Sequence, residues 1–226
     1  LVNHTHWGVL KPFHVVALAM QGALQIGRGD ADQGTAALLE ALRKLKDERQ
    51  HIVVTFVACW VAEGLIALGR PTDALPILRA ARRGAVRGAE AVHLPELLRI
   101  QAKVFLAISA QNESRAVRLL MRSCGIARRQ SALSWELRST LTLASICAGQ
   151  GRGEFAHHLL ASVYTQFSEG FDTQDLKAAK SLLGELSDSG PADTSVDAET
   201  PVSDFGHTSA RGRALPSSGP GGPASK

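Results

Sequence analysis

Apolar residues recur every three or four positions along most of residues 12–187, the period of a helix that buries one face. Phe13, Val16, Ala17, Met20 and Leu24 make the first such stripe, opened by Pro12 at a first turn where a missing N–H costs nothing. Gly27-Arg28-Gly29 ends it. Asp30 then stands three residues before Gln33, a variant of the capping box, and the next stripe holds Leu38, Leu39, Leu42 and Leu45. Val53, Val57, Trp60, Val61, Gly64, Leu65 and Leu68 follow. Their helical period extends over about four turns, so this stretch is predicted as helix although Ile52–Val57 is rich in β-branched residues.

After Gly69-Arg70-Pro71, Leu75, Leu78, Ala81 and Ala85 carry a fourth helix. A start at Asp73 is predicted, because it puts Pro76 in the first turn and not in the interior. Gly84–Val92 reads as a loose connection. Pro95 opens a fifth helix with Leu98, Gln101, Phe105 and Ile108, and Asn112 is the expected cap of a sixth with Ala116, Leu120, Cys124 and Ala127. Ser131 or Ser134 caps a seventh with Leu137, Leu141, Ala144 and Ala148. Phe155, Ala156, Leu159, Leu160, Val163 and Phe167 make the eighth. Asp172-Thr173-Gln174-Asp175 begins a ninth, with Leu176, Ala179, Leu183 and Leu186.

The helices repeat. Gly22 to Arg28 and Gly64 to Arg70 share Gly-x4-Gly-Arg. A small residue opens the second helix of each pair at Gly34, Ala74, Ala116 and Ala156. The spacing is about 40 residues at every step, and a fixed period of this size means stacked helix pairs. The predicted fold is therefore all-α: a tetratricopeptide-like superhelix of four antiparallel helix pairs with a ninth helix closing one end. The expected layout is a remnant of a preceding segment at 1–11, a repeat domain at 12–187 and a tail at 188–226. In the tail nearly half of the residues are Gly, Pro or Ser, which predicts disorder.

Composition agrees. Aromatics are 5% of the chain and hydrophobic residues 45%, a bias that suits helix packing and can fill a core. The chain begins at Leu1 without an initiator Met or a signal-peptide pattern, and reads as a fragment or a misassigned start. No apolar run reaches the ~18 residues of a membrane span, so a cytoplasmic location without a membrane is expected. Cys59, Cys124 and Cys147 are widely spaced on apolar stripes, and are expected as buried free thiols.

Chemistry of catalysis is not found. No P-loop, G-x-S-x-G, H-E-x-x-H or C-x-x-C occurs, so no enzymatic activity and no cofactor are expected. Gly149–Gly153 lies between two helices with no preceding strand, and is a hairpin turn. His4 and His6 form H-x-H, and His157 and His158 are adjacent; neighbours on a helix diverge by ~100°, so no metal site is expected. Arg79, Arg82, Arg83 and Arg87 recur at helical spacing as a candidate basic ridge, and Arg122, Arg128 and Arg129 end another helix. They read as a solvated outer face, with contact to nucleic-acid phosphates or an acidic partner as the alternative. No aromatic residues interleave them, which weighs against single-stranded nucleic acid.

Three segments carry a family resemblance: ARRQSALSWELRS at Ala127–Ser139, GQGR at Gly149–Arg152 and FSEGFDTQDLKAAKSLL at Phe167–Leu183. Together they resemble the C-terminal end of the tetratricopeptide-like region in large bacterial signal-transduction ATPases, in which a winged-helix or cyclase domain and a P-loop ATPase core precede helical repeats. The resemblance implies a non-catalytic interaction or effector-sensing arm, with the ATPase domain upstream if the chain is a fragment. Trp135, Glu136, Arg138, Glu169, Gly170, Phe171, Asp172 and Asp175 match its signature and are expected to act as caps, ion pairs and a fixed corner. A protein, peptide or small effector is the expected partner on the concave face, where Arg99, Lys103, Arg138 and Thr142 are the candidate polar contacts. A stand-alone adaptor and a gene remnant are the remaining alternatives.

Overall fold

The computed structural model describes residues 6–47, 53–87 and 89–188. Nine α-helices are found there: α1 (His6–Gly27), α2 (Ala31–Asp47), α3 (Val54–Ala67), α4 (Pro71–Arg87), α5 (Leu94–Ile108), α6 (Glu113–Arg129), α7 (Leu133–Gly149), α8 (Gly153–Tyr164) and α9 (Gln174–Asp188). Short 3-10 turns at Ala89–His93 and Ala110–Asn112 precede α5 and α6. No strand occurs among the described residues, and α3 is helical as its stripe predicts. The tail from 189 onward and His4 lie outside the described residues.

Helices pair as α1/α2, α3/α4, α5/α6 and α7/α8, with α9 packed on α7 and α8. Each first helix also touches the first helix of the next pair, from α1 to α3 and on to α9, whereas successive second helices do not touch among the described residues. The first helices therefore line the short-radius, inner side of a superhelix, and the second helices form its outer side.

Small residues set the spacing within each pair. Ala74, Ala116 and Ala156 are fully buried, and Gly34 is buried against Gly22 of α1. A Cβ on Gly34 would fall 2.5 Å from the Gly22 carbonyl oxygen and 2.9 Å from the Ile26 nitrogen, so two backbones meet where no side chain fits. That contact fixes the rotation of α1. Its core stripe is Val15, Ala19, Gly22 and Ile26, not the expected Val16, Ala17, Met20 and Leu24; Met20 and Leu24 are 53% and 61% exposed.

Four turns share one hydrogen-bonded design. Gly29, Gly69, Ser131 and Gly151 have φ of 93°, 69°, 54° and 75°, and each follows a helix whose last carbonyls it closes. At Gly69 the amide donates to Ile66 O and the next amide, Arg70, donates to Leu65 O, the Schellman pattern; the same pair of bonds recurs at the other three positions. Gly29 and Gly69 are thus the equivalent glycines of the first two pairs. The Gly-x4-Gly-Arg match is a two-residue slip from this register: Gly27 is helical, Gly22 faces its own partner helix, and Gly64 packs on Thr35 and Ile26 of the preceding pair.

Several expected boundaries move. Residues His6–Lys11 belong to α1, which places Pro12 inside the helix. The α4 helix starts at Pro71, with Pro76 inside it. Asp73 does not cap α4 but receives the Arg70 guanidinium, Nε at 2.9 Å. Burial of Ala74, Leu78, Ala81 and Ala85 along one face outweighs the bond that Pro76 cannot donate. Most of Gly84–Val92 is helical, as the end of α4 and a 3-10 turn. Asp30 caps α2 as expected, accepting from the Gln33 amide at 3.3 Å. Asn112 stands at the N-cap of α6, but its amide group donates to Phe105 O at 3.2 Å. Neither Ser131 nor Ser134 caps α7: Ala132 holds that position and Ser131 is the left-handed residue of the turn.

Two stability changes follow. Gly34→Ala is expected to force α1 and α2 apart and cost roughly 1–3 kcal/mol, the scale of overpacking a tight contact. Ser131→Gly relieves a left-handed backbone that costs a side-chain-bearing residue about 1 kcal/mol or more, and is expected to raise the melting temperature. Urea titrations of the two variants beside the parent chain check both signs; a neutral Gly34→Ala would refute the close-approach contact.

Candidate functional site on the inner face

Polar residues of the first helices meet in one ionic chain on the inner side. Within α5, Arg99 grips Glu96 with two hydrogen bonds, Nε to Oε2 at 2.9 Å and Nη2 to Oε1 at 2.8 Å. The same Arg99 reaches Glu63 of α3 at 3.4 Å, and Lys103, one turn further along α5, reaches Glu63 at 3.1 Å. From α7, Arg138 lies 2.8 Å from Glu96 and 3.5 Å from Asp175 of α9. Four successive first helices are thereby joined by alternating charges, three acidic and three basic.

Burial grades along the chain of charges. Glu96 and Arg99 are 3% and 6% exposed, while Lys103, Arg138 and Asp175 keep part of their side chains in solvent. Burial by itself raises the Glu96 carboxyl, but the Arg99 hydrogen bonds and the charges of Arg99, Arg138 and Lys103 outweigh it and hold the group below the usual glutamate range. For Arg99, burial acts to lower and the Glu96 bond and charge act to raise; the net direction is upward. Both stay charged. Glu96 also sits in the first turn of α5, where the unpaired amides favour an anion.

Of the expected contacts, Arg99, Lys103 and Arg138 are brought together here, and Arg99 is spent on its acidic neighbours. Thr142 lies one turn beyond Arg138 and donates its hydroxyl to the Arg138 carbonyl at 3.0 Å. Glu63 and Glu96, which hold the chain together, were not singled out from the sequence. Nor was a row of rings beside it: Phe56 stacks 4.3 Å from Trp60 and 5.6 Å from His93, and His93 is 5.5 Å from Trp135. All four are half-buried, and they carry the inner face from α3 to α7.

The remaining signature residues take structural positions. Glu136 is buried and accepts from Arg128 at 2.9 and 2.6 Å. At the corner before α9, Glu169, Gly170, Phe171 and Asp172 are exposed; Gly170 has φ of 75°, and Phe171 meets Tyr164 edge-on at 5.9 Å. Thr173, not Asp172, makes the side-chain bond of this corner, to Gly170 O at 2.7 Å. Phe155 was expected in the core but is 54% exposed, beneath the Arg152 guanidinium at 4.9 Å.

On the outer side Arg79 and Arg83 are exposed and Arg82 is half-buried, and none makes an ion pair among the described residues. The side chain of Arg87 is outside them. Cys59 and Cys147 are buried free thiols, while Cys124 is only half-buried, 3.5 Å from the Thr140 hydroxyl. Burial pushes the Cys59 and Cys124 thiols up, which keeps them protonated and unreactive near neutral pH. His157 and His158 stand edge to face with rings 5.9 Å apart.

Glu96→Gln leaves buried Arg99 with only the longer Glu63 contact, at 3.4 Å, and is expected to cost about 3–5 kcal/mol. Because the folded-state carboxyl is held low, the stability it contributes is fully present above the ordinary glutamate pKa and disappears as pH falls through the folded value. The gap between parent and variant in urea titrations should therefore close from neutral pH toward acid. A gap that stays constant with pH would exclude the ion pair as its source.

No protein-family model matches the chain, and no curated protein matches it. Among solved structures it is similar to a Podosopora anserina protein, assigned as a kinesin light chain, with nearly identical TPR-like repeats. Identity is 17% over 78% of this chain and 87% of that one, with a TM-score of 0.53. A single-substitution variant of the same repeats matches with the same score over 86% of its length. The chain has the fold of a TPR-like helical-repeat superhelix.

Proposed function

We propose that this chain is a non-catalytic interaction or effector-sensing module that takes its partner on the inner face. The observation that carries the reading is the line of first helices α3, α5, α7 and α9, whose ionic chain and aromatic row present charges and flat rings side by side. A surface of this composition suits a peptide or helix that alternates apolar and charged residues. Arg99 and Glu96 act as its rigid floor. Lys103, Arg138 and Thr142, with Asp175, are the groups that meet the partner.

The resemblance over Ala127–Leu183 supports a finer reading, in which the module is the C-terminal arm of a bacterial ATPase-type transcriptional regulator or signalling protein. Binding on the inner face would then bias an upstream ATPase switch. Reading the genomic frame upstream of the Leu1 codon tests this: an open frame running into a P-loop ATPase supports it, and a stop codon just upstream refutes it, leaving a stand-alone adaptor.

The inner-face reading has its own test. Lys103→Gln with Thr142→Arg is expected to weaken partner binding at least about tenfold while leaving the melting temperature within a few degrees, since neither site is buried core and no like charge is set against Glu63. Amide exchange should show protection on α5 and α7 when partner is added. Protection confined to second helices would move the site elsewhere.

A further inference from the structure

A second surface is carried by the outer face of α6. This helix has five arginines, Arg115, Arg118, Arg122, Arg128 and Arg129, and a single acidic residue, Glu113. Two of the arginines are engaged: Arg128 with Glu136, and Arg115 over the Phe105 ring at 3.8 Å. Arg118, Arg122 and Arg129 are exposed and make no ion pair among the described residues. They flank an apolar centre. Met121 is 41% exposed between Arg118 and Arg122, and Gly125 lies one turn further on. A Cβ on Gly125 would meet only the Arg129 Nη1, at 3.6 Å, so the space outside it is open.

We infer that the outer face of α6 docks an acidic amphipathic helix of a partner protein, its carboxylates on Arg118, Arg122 and Arg129 and its apolar residues on Met121 and Gly125. A helix is the fitting shape because Arg118, Met121, Arg122, Gly125 and Arg129 follow its own period over about 16 Å, at ~1.5 Å per residue. Glutamates at i, i+4 and i+11 of a second helix fall at the same rise. Gly125 lets that helix approach closely at the centre of the contact. A nucleic-acid backbone would match the guanidinium groups equally but has no use for an exposed methionine between them, so the acidic helix uses more of the surface. Arg79 and Arg83 on α4 belong to a helix that does not touch α6 and take no part. The site is independent of the inner face.

The test uses the full chain and a fluorescein-labelled acidic peptide of about five turns, with Glu at i, i+4 and i+11 and Leu at i+3 and i+7. Anisotropy should rise on binding, with a gain of peptide helicity. Arg118→Glu with Arg122→Glu is expected to weaken binding at least about tenfold. Gly125→Leu, which has room in the folded chain and improves helix propensity, should weaken it several-fold without lowering the melting temperature. Arg79→Glu with Arg83→Glu should leave binding unchanged. The inference is overturned if the peptide does not bind, if both arginine pairs weaken it equally, or if a DNA duplex binds the parent chain more tightly than the peptide.

Discussion

Each helix pair can stack on the next only because its own two helices approach closely, and that approach is made by small residues at the start of the second helix. Gly34 and Ala74, Ala116 and Ala156 are buried at the same station of four successive pairs. At Gly34 the contact is backbone on backbone, which leaves α1 one rotation about its axis. The consequences run outward from there. Gly22 turns inward, Val15, Ala19 and Ile26 follow it into the core, and Met20 and Leu24 are left outside. Leu24 occupies the position of Gly64 in the next pair, the face by which a first helix meets the pair before it.

Charges do a different job on the two sides. On the inner side Arg99, Lys103 and Arg138 each have a carboxylate from their own helix or a neighbouring first helix, so the first helices are tied to one another across pairs as well as packed. Removing water from Glu96 and Arg99 is costly, and the bidentate geometry with a third partner from α7 is what offsets it. On the outer side arginines of α4 and α6 outnumber acids, and Arg79, Arg83, Arg118, Arg122 and Arg129 are exposed without an ion pair among the described residues.

Helix existence and repeat architecture were legible because both are written in periodicity: three to four residues for each helix, and about 40 for each pair. Phase and pairing were not. Spacing of three or four is met by Val16, Ala17, Met20 and Leu24 as well as by the buried Val15, Ala19 and Ile26, and the residue that decides between the two faces is the smallest, Gly22. Sparing Pro76 predicts a later start for α4, but four buried residues along one face outweigh one lost hydrogen bond. Asn112 and Ser131 stand at cap-like positions by composition, and the local geometry uses them otherwise. Arg99, Lys103 and Arg138 could be placed on first helices, yet their carboxylate partners come from the neighbouring repeat or, for Arg99, also from Glu96 one turn away.

One signal for that glutamate did lie in the sequence. Glu96 and Glu136 stand one repeat apart, at the same spacing as Ala116 and Ala156. Both lie in the first turn of a first helix and both are 3% exposed. A carboxylate there is favoured by the unpaired amides of the helix start, but not enough to be buried alone, so each recruits arginine. The recruits differ: Arg99 and Arg138 for Glu96, and Arg128 from the preceding helix for Glu136. At the same place in the first turn of α3, the third residue, the chain has Phe56, which stacks on Trp60 and His93 instead. The same station is therefore aromatic in the second pair and anionic in the third and fourth, and only the anions recruit arginine.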